Sequence, residues 1–312
     1  MNIRRLTATI GILGAIASPG CTPNQLRDTN RPAATKTDPR TEGEVDKFFL
    51  AWNANAQKIR SIRCDNVNID GKSQGQPYTL NAKVAFEKDN RFRLVGKFAG
   101  KSQVDLGSNE DEIWFWIAKA EPPAVYFCKR SELNHVKMAT PFQPDWLIEA
   151  MGVATLNPRD YQPAPSNAKF LALITQVTAP NGQTLSKRIL IDRKINRIYS
   201  FELFDPMQEA DKRLVARVAI QSYEEDQETG TFVPRVLELE WPGEADTKLS
   251  LMMSPRSIQV NRITPETAQS MFARSNLDDN PQVDLARPSS RAIDREVRPA
   301  NRAAALTGQI EP

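Results

Sequence analysis

Along residues 44–59, "EVDKFFLAWNANAQKI", apolar side chains recur at Val45, Phe48, Phe49, Trp52, Ala56 and Ile59. Steps of three and four put them on one side of a helix, because 3.6 residues complete a turn. The spacing predicts an amphipathic helix with an aromatic stripe. From Arg60 the period falls to two. In "YTLNAKVAFE", Leu80, Ala82, Val84 and Phe86 alternate with polar residues; "EKDN" supplies a turn, and Phe92, Leu94 and Phe98 resume the apolar side. Short runs at "SQVDLGSN", "EIWFWI" and "PAVYFCKR" continue what reads as a meander of antiparallel strands.

The run "EIWFWI" breaks the alternation. Ile113, Phe115 and Ile117 fall on one face, and Trp114 and Trp116 fall on the other. A strand that is apolar on both faces needs cover on both. The aromatic helix is a candidate for one of them.

A second helix is expected near "PFQPDWLIEAMGV". Pro144 and Asp145 suit its start, and Trp146, Leu147, Ala150 and Met151 form its apolar face. "LNPRDYQPAPSNAK" reads as a proline-rich loop. The two-residue period returns in "KFLALITQVTA", turns at Asn181-Gly182, and runs through several further strands to "SIQVNRI". "TPETAQSMF" predicts a short last helix with Thr264 as N-cap and Pro265 at its first position. About a dozen strands are expected, with no linker between residues 44 and 274. A sheet that long has to split, close or curl.

The flanks differ in kind. Residues 1–20 carry Arg4 and Arg5, an apolar run from Leu6 to Ala17, and then small residues: a secretory signal too short to span a membrane. Residues 22–43 hold almost no large apolar side chain, so a disordered tether over 21–43 is expected, spanning roughly 25 Å as a coil. Residues 276–312 gain proline, arginine and aspartate, lose periodicity, and read as a disordered tail.

Composition adds mainly exclusions. The chain has 312 residues, 40% hydrophobic and 25% charged, with a net charge of +3. That charge is too small to suggest a nucleic-acid partner. The single histidine, His135, weakens metal-site and Ser-His-Asp readings, and no phosphate-binding loop, dinucleotide fingerprint or paired-cysteine motif occurs. No cofactor or metal is expected. Export would carry Cys64 and Cys128 into an oxidising compartment, where one disulfide or two buried thiols are equally compatible readings. The carboxylates of "NEDE" (residues 109–112), and Asp145 with Glu149, are the enzyme-like features. An acidic run in a turn is more often a solvated loop, so no catalytic role is expected.

Two resemblances sharpen this. "ASPGC" resembles the lipobox of bacterial lipoproteins, with Gly20 before a cysteine that becomes acylated; a plain secretory signal followed by an incidental cysteine is the alternative. The resemblance implies lipidation at Cys21, attachment to the bilayer, and a place in the cell envelope, with Thr22 favouring the outer membrane facing the periplasm. The aromatic helix, Arg91-Phe92-Arg93-Leu94, then Leu106-Gly107-Ser108-Asn109 with Ile113-Trp114, together with "LIDRKINRIYSFELFD", resemble the LolA/LolB lipoprotein carrier and receptor superfamily over most of residues 44–262. That resemblance implies an α+β, mainly antiparallel fold: an unclosed half-barrel curved over the N-terminal and central helices, spanning 44–275.

It also implies an apolar cavity for acyl chains. Val84, Phe86, Phe92, Leu94, Trp114, Trp116 and Met151 are the candidate lining, chosen from apolar alternation. The functional expectation is a lipid-anchored envelope protein that binds an acyl chain, a lipoprotein or another hydrophobic ligand. The alternative is a structural or sensory lipoprotein that binds a protein partner without lipid cargo.

Overall fold

The structure is a computed structural model describing residues 39–287, except 74–75, 89, 119, 121–122, 137–143, 180–181, 210–213, 243–246 and 275–276. Helix α1 (Pro39–Lys58) leads into β1 (Ser61–Ser73) and β2 (Gln76–Glu87). The meander continues through β3 (Arg91–Phe98), β4 (Lys101–Ser108), β5 (Glu112–Ile117) and β6 (Val125–Lys129). Helix α2 (Pro144–Ala150) separates this half from β7 (Gln162–Ala164), β8 (Phe170–Thr178), β9 (Thr184–Asp192) and β10 (Arg197–Phe204). Then come β11 (Leu214–Asp226), β12 (Thr231–Trp241), β13 (Thr247–Met253) and β14 (Ile258–Val260). Helix α3 (Pro265–Met271) and β15 (Gln282–Asp284) end the described chain.

All the strands join one sheet in the order β15-β6-β5-β4-β3-β2-β1-β13-β12-β11-β10-β9-β8-β7, with β14 beside β1. Every ladder is antiparallel except that of β15 on β6. The first half of the meander therefore meets the second where β1 pairs with β13. The path ends at β7 and β15, which do not pair, so the curved sheet stays an unclosed half-barrel. The strand pattern required a long sheet to split, close or curl, and this is the α+β half-barrel that the family resemblance implied.

The aromatic stripe of α1 fills the inner side of the curve. Phe48, Phe49 and Trp52, with Ile59 just past the helix, share one buried cluster with Val84, Phe86, Phe92, Leu251 and Leu237 from the sheet, with Trp146 and Leu147 from α2, and with Met151 just after it. Two asparagines fasten α1 by imitating a strand edge. Asn53 exchanges hydrogen bonds with the Leu156 backbone, both at 2.8 Å. Asn55 does the same with Phe232, at 2.8 and 2.9 Å. α2 is pinned by an ion pair from Glu149 to Lys187 on β9, whose ammonium also lies 5.3 Å from the centre of the Phe201 ring.

Several expectations change. α1 starts at Pro39, within the stretch read as tether, because "PRTEG" is helix-compatible but shows no apolar period. The proline-rich loop contains β7, which pairs with β8. The segment read as tail begins inside the fold: residues 282–284 form β15, and Leu277 and Leu285 pack into apolar clusters. The last helix matches its prediction, with the Thr264 hydroxyl accepting from the Thr267 backbone N–H. Residues 1–38, with the signal, Cys21 and most of the tether, lie outside the described residues, as do Asn181 and residues 288–312.

Candidate functional site

Cross-strand register decides which side chains share the inner face. One row runs Cys64, Val84, Leu94, Leu106, Phe115, Tyr126 across β1 to β6. The next runs Val67, Ala82, Gly96, Val104, Ile117. Burial falls steadily along both. Cys64, Val67, Val84 and Leu94 are buried beneath the helices; Val104, Leu106, Phe115 and Tyr126 are half-buried; Ile117 is 42% exposed. Phe115 and Tyr126 stack nearly parallel, with ring centroids 5.1 Å apart. Gly96 keeps the second row shallow, since a Cβ there would come within 3.3 Å of Leu80. An apolar floor thus emerges from under α1 and α2 toward the β4–β6 end of the sheet.

Of the seven lining candidates, Val84, Phe86, Phe92, Leu94 and Met151 come together, but as buried core against the helices. Trp114 and Trp116 point the other way. They lie on the outer face with Val125, Phe127 and Leu277. Half-buried Leu106, Val104, Phe115 and Tyr126 were the members of the floor that alternation alone did not single out. The signal was present in "QVDLGS" and "WFWIA", but alternation ranks faces and says nothing about which end of a face is left uncovered.

The outer Trp face is closed by the chain's own C-terminal segment. Arg93 lies against the Trp114 ring, 5.4 Å from its centre, and pairs with Asp105 at 2.6 Å. The Trp114 indole N–H donates to the same carboxylate at 3.3 Å, and Arg93 also donates to the carbonyls of Met271 (3.2 Å) and Ala273. Gly107 makes room for the indole, since a Cβ there would lie 2.1 Å from Trp114 Cζ2. Arg274 completes the cover with a two-pronged ion pair to Glu112 at 2.9 and 3.0 Å, its guanidinium 4.2 Å from the Phe127 ring centre.

Three of the carboxylates that looked enzyme-like, Glu110, Glu112 and Glu149, have structural partners. Glu110 pairs with Arg91, whose hydrogen bond holds the Glu110 carboxyl below its ordinary range against the opposing effect of burial. Glu112 is held by Arg274, and Glu149 by Lys187. The side chain of Asp145 lies outside the described residues. His135 is exposed at the end of a 3-10 turn. Among the described residues no group of three His, Cys, Asp or Glu side chains is placed to hold a metal.

The disulfide reading is overturned. Cys64 and Cys128 are both free and buried. They sit on β1 and β6, five strand steps apart in the sheet order. At about 4.8 Å per step that is roughly 24 Å along the sheet, whereas a disulfide holds its two Cα atoms within about 7 Å. Burial, aided by the charges of Asp284 and Glu132, pushes the Cys128 thiol up to about 11, so it is not a thiolate near neutral pH.

No family model and no curated protein matches the sequence. Similar solved structures include a DUF1329 family protein from Desulfovibrio piger (TM-score 0.49, 13% identity, covering 77% of this chain and all of the other). A putative outer membrane lipoprotein-sorting protein domain from Vibrio parahaemolyticus gives 0.49 and 12%, over 76% of this chain and 99% of the other. A LolA superfamily protein from Nitrosomonas europaea gives 0.44 and 13%, over 73% and 98%. No helix of the described residues is long and apolar enough to cross a membrane.

Proposed function

We propose that this chain is an envelope lipoprotein, anchored through acylated Cys21 and facing the periplasm from the outer membrane, whose half-barrel binds an acyl chain or a comparably shaped hydrophobic ligand. The observation that supports it is the burial gradient along the inner face. Half-buried Leu106, Phe115 and Tyr126 continue, without a polar interruption, the row whose other end is sealed core. An acyl chain laid along Val104, Leu106, Phe115 and Ile117 would extend that core toward the sheet end. Each methylene removed from water contributes about 0.8 kcal/mol, so a dozen contribute on the order of 10 kcal/mol before the cost of ordering the chain. The proposed role is binding and transfer rather than catalysis.

The test uses the full chain, isolated gently from membranes and examined by native mass spectrometry and organic extraction. Stoichiometric lipid is expected, and Phe115→Asp combined with Ile117→Asp should remove it while the chain stays folded, because both positions already meet solvent. Met207→Asp, at a site 89% exposed and away from the floor, should change nothing. A folded chain that never carries lipid would sink this reading and leave a module that binds a protein partner. Cys21→Ser should shift the chain from the membrane fraction to the soluble one.

A further inference from the structure

A second hollow, of about 280 Å³, shares no residue with the apolar floor. It lies where the C-terminal half of α1 meets the β9–β10 and β11–β12 turns, and its wall includes Trp52, Lys58, Ile195, Arg197, Tyr223 and Phe232. Arg197 is one of its two cationic lining residues. The guanidinium carbon sits 3.6 Å from the middle of the Phe232 ring and 5.7 Å from that of Tyr223. Both rings are themselves fixed: Asn55 pairs with the Phe232 backbone, and the Tyr223 hydroxyl donates to the Ile198 carbonyl at 2.7 Å. The arginine is thus positioned before any ligand arrives.

Its charge is not met. Most other buried or half-buried arginines of this chain have carboxylate partners: Arg91 with Glu110, Arg93 with Asp105, Arg193 with Glu44, Arg274 with Glu112. Among the described residues Arg197 has no carboxylate within ion-pair distance and no side-chain hydrogen bond, and no carboxylate lines the hollow. Lys58 adds a second positive charge there. A guanidinium stacked on a ring uses its faces for packing and keeps its edge donors free, the geometry that grips carboxylate or phosphate in a fork. We infer that this hollow is a binding site for an oxyanion, carboxylate or phosphate, carried on a small apolar body such as one ring or a short chain. The Trp52, Tyr223 and Ile195 walls fit the body. The volume, at the lower edge of the roughly 300–1,000 Å³ of ligand pockets, sets its size. Burial holds the Tyr223 phenol neutral against the pull of Arg197, so the wall contributes no negative charge to repel the ligand.

The experiment is calorimetric titration of the full chain with phenyl phosphate, inorganic phosphate and dodecyl phosphate below its micelle concentration. Phenyl phosphate should bind saturably, one per chain. Arg197→Met should weaken it at least tenfold, Arg197→Lys less, because charge remains without the fork. Phe232→Leu should weaken it several-fold by removing the stacking platform. Lys58→Met, at an exposed helix end, should weaken it two- to fivefold, and it keeps the test sound if a change at Arg197 disturbs folding. Inorganic phosphate bound as tightly as phenyl phosphate would overturn the apolar-body half of the inference. Dodecyl phosphate bound tightest, with the same dependence on Arg197, would support it and identify an amphiphile headgroup as the source. Absence of saturable binding by all three probes, or binding indifferent to both Arg197→Met and Lys58→Met, would overturn the site.

Discussion

Arg93 and Asp105 show what one residue pair does for this chain. Both side chains are less than a tenth exposed, and the pair sits between the sheet and the C-terminal segment. Attraction between buried charges offsets their desolvation only while both are present. Asp105→Asn therefore leaves a buried guanidinium without its counter-charge and weakens the acceptor of the Trp114 indole. A loss of about 3–5 kcal/mol is expected, read as a shift in the urea unfolding midpoint. Arg262 and Glu228 form the contrast, with side chains more than half exposed. Glu228→Gln should move the same midpoint by less than about 0.5 kcal/mol, since solvent already screens that pair.

Elements obey local rules with one visible exception. The β3–β4 hairpin turns through Ala99 and Gly100, whose φ angles of +48° and +79° fit a two-residue turn with both centres left-handed. Glycine takes that conformation without cost, but alanine carries a Cβ that clashes with the following carbonyl. Ala99→Asn should stabilise the chain by about 0.5–1 kcal/mol, measured as a higher melting temperature. The same local logic explains what could be read in advance. Strands β2, β3 and β8 to β12 announce themselves by alternation, and α1 by its aromatic stripe. β15 does not: three residues, "QVD", paired through the backbone to β6, leave no side-chain pattern. The apolar floor was half legible, since its face followed from alternation while its open end depends on how far α1 and α2 reach. The Arg197 hollow was not legible. Its walls come from α1, two hairpins and the segment after α2, and no spacing in the sequence joins them.

On the scale of the whole molecule, the sheet is a curved layer covered from both sides by different parts of the chain. α1 and α2 fill the inside, while α3 and the segment through β15 cover the outside of β2 to β6. The two-faced strand β5 is covered on both sides: Ile113 packs with Cys128 and Val136, beside Leu133, Leu285 and Ala286, and Trp114 packs on the opposite face with Val125 and Leu277. Ending the chain at Thr264 should uncover Trp114, Trp116 and Phe127 together, strand Arg93, and remove Phe272 from its cluster with Ala85 and Ile263. The expected result is a chain that binds a hydrophobic dye strongly and aggregates on expression, at the cost of several kcal/mol of stability. A truncated chain that melts as the intact one does would show that the outer cover contributes nothing to stability.

That cover also fixes an order of events. The Arg274–Glu112 ion pair joins residues 162 positions apart, and the Arg93 bonds to the Met271 and Ala273 carbonyls close similar spans. A polypeptide synthesised or threaded across a membrane from its N-terminus presents the tryptophan strand long before its lid emerges. Throughout that interval a strip of indole and phenyl rings faces water with nothing to lie against it. The molecule is most vulnerable to mispairing while it is nearly finished, and its last described residues seal it.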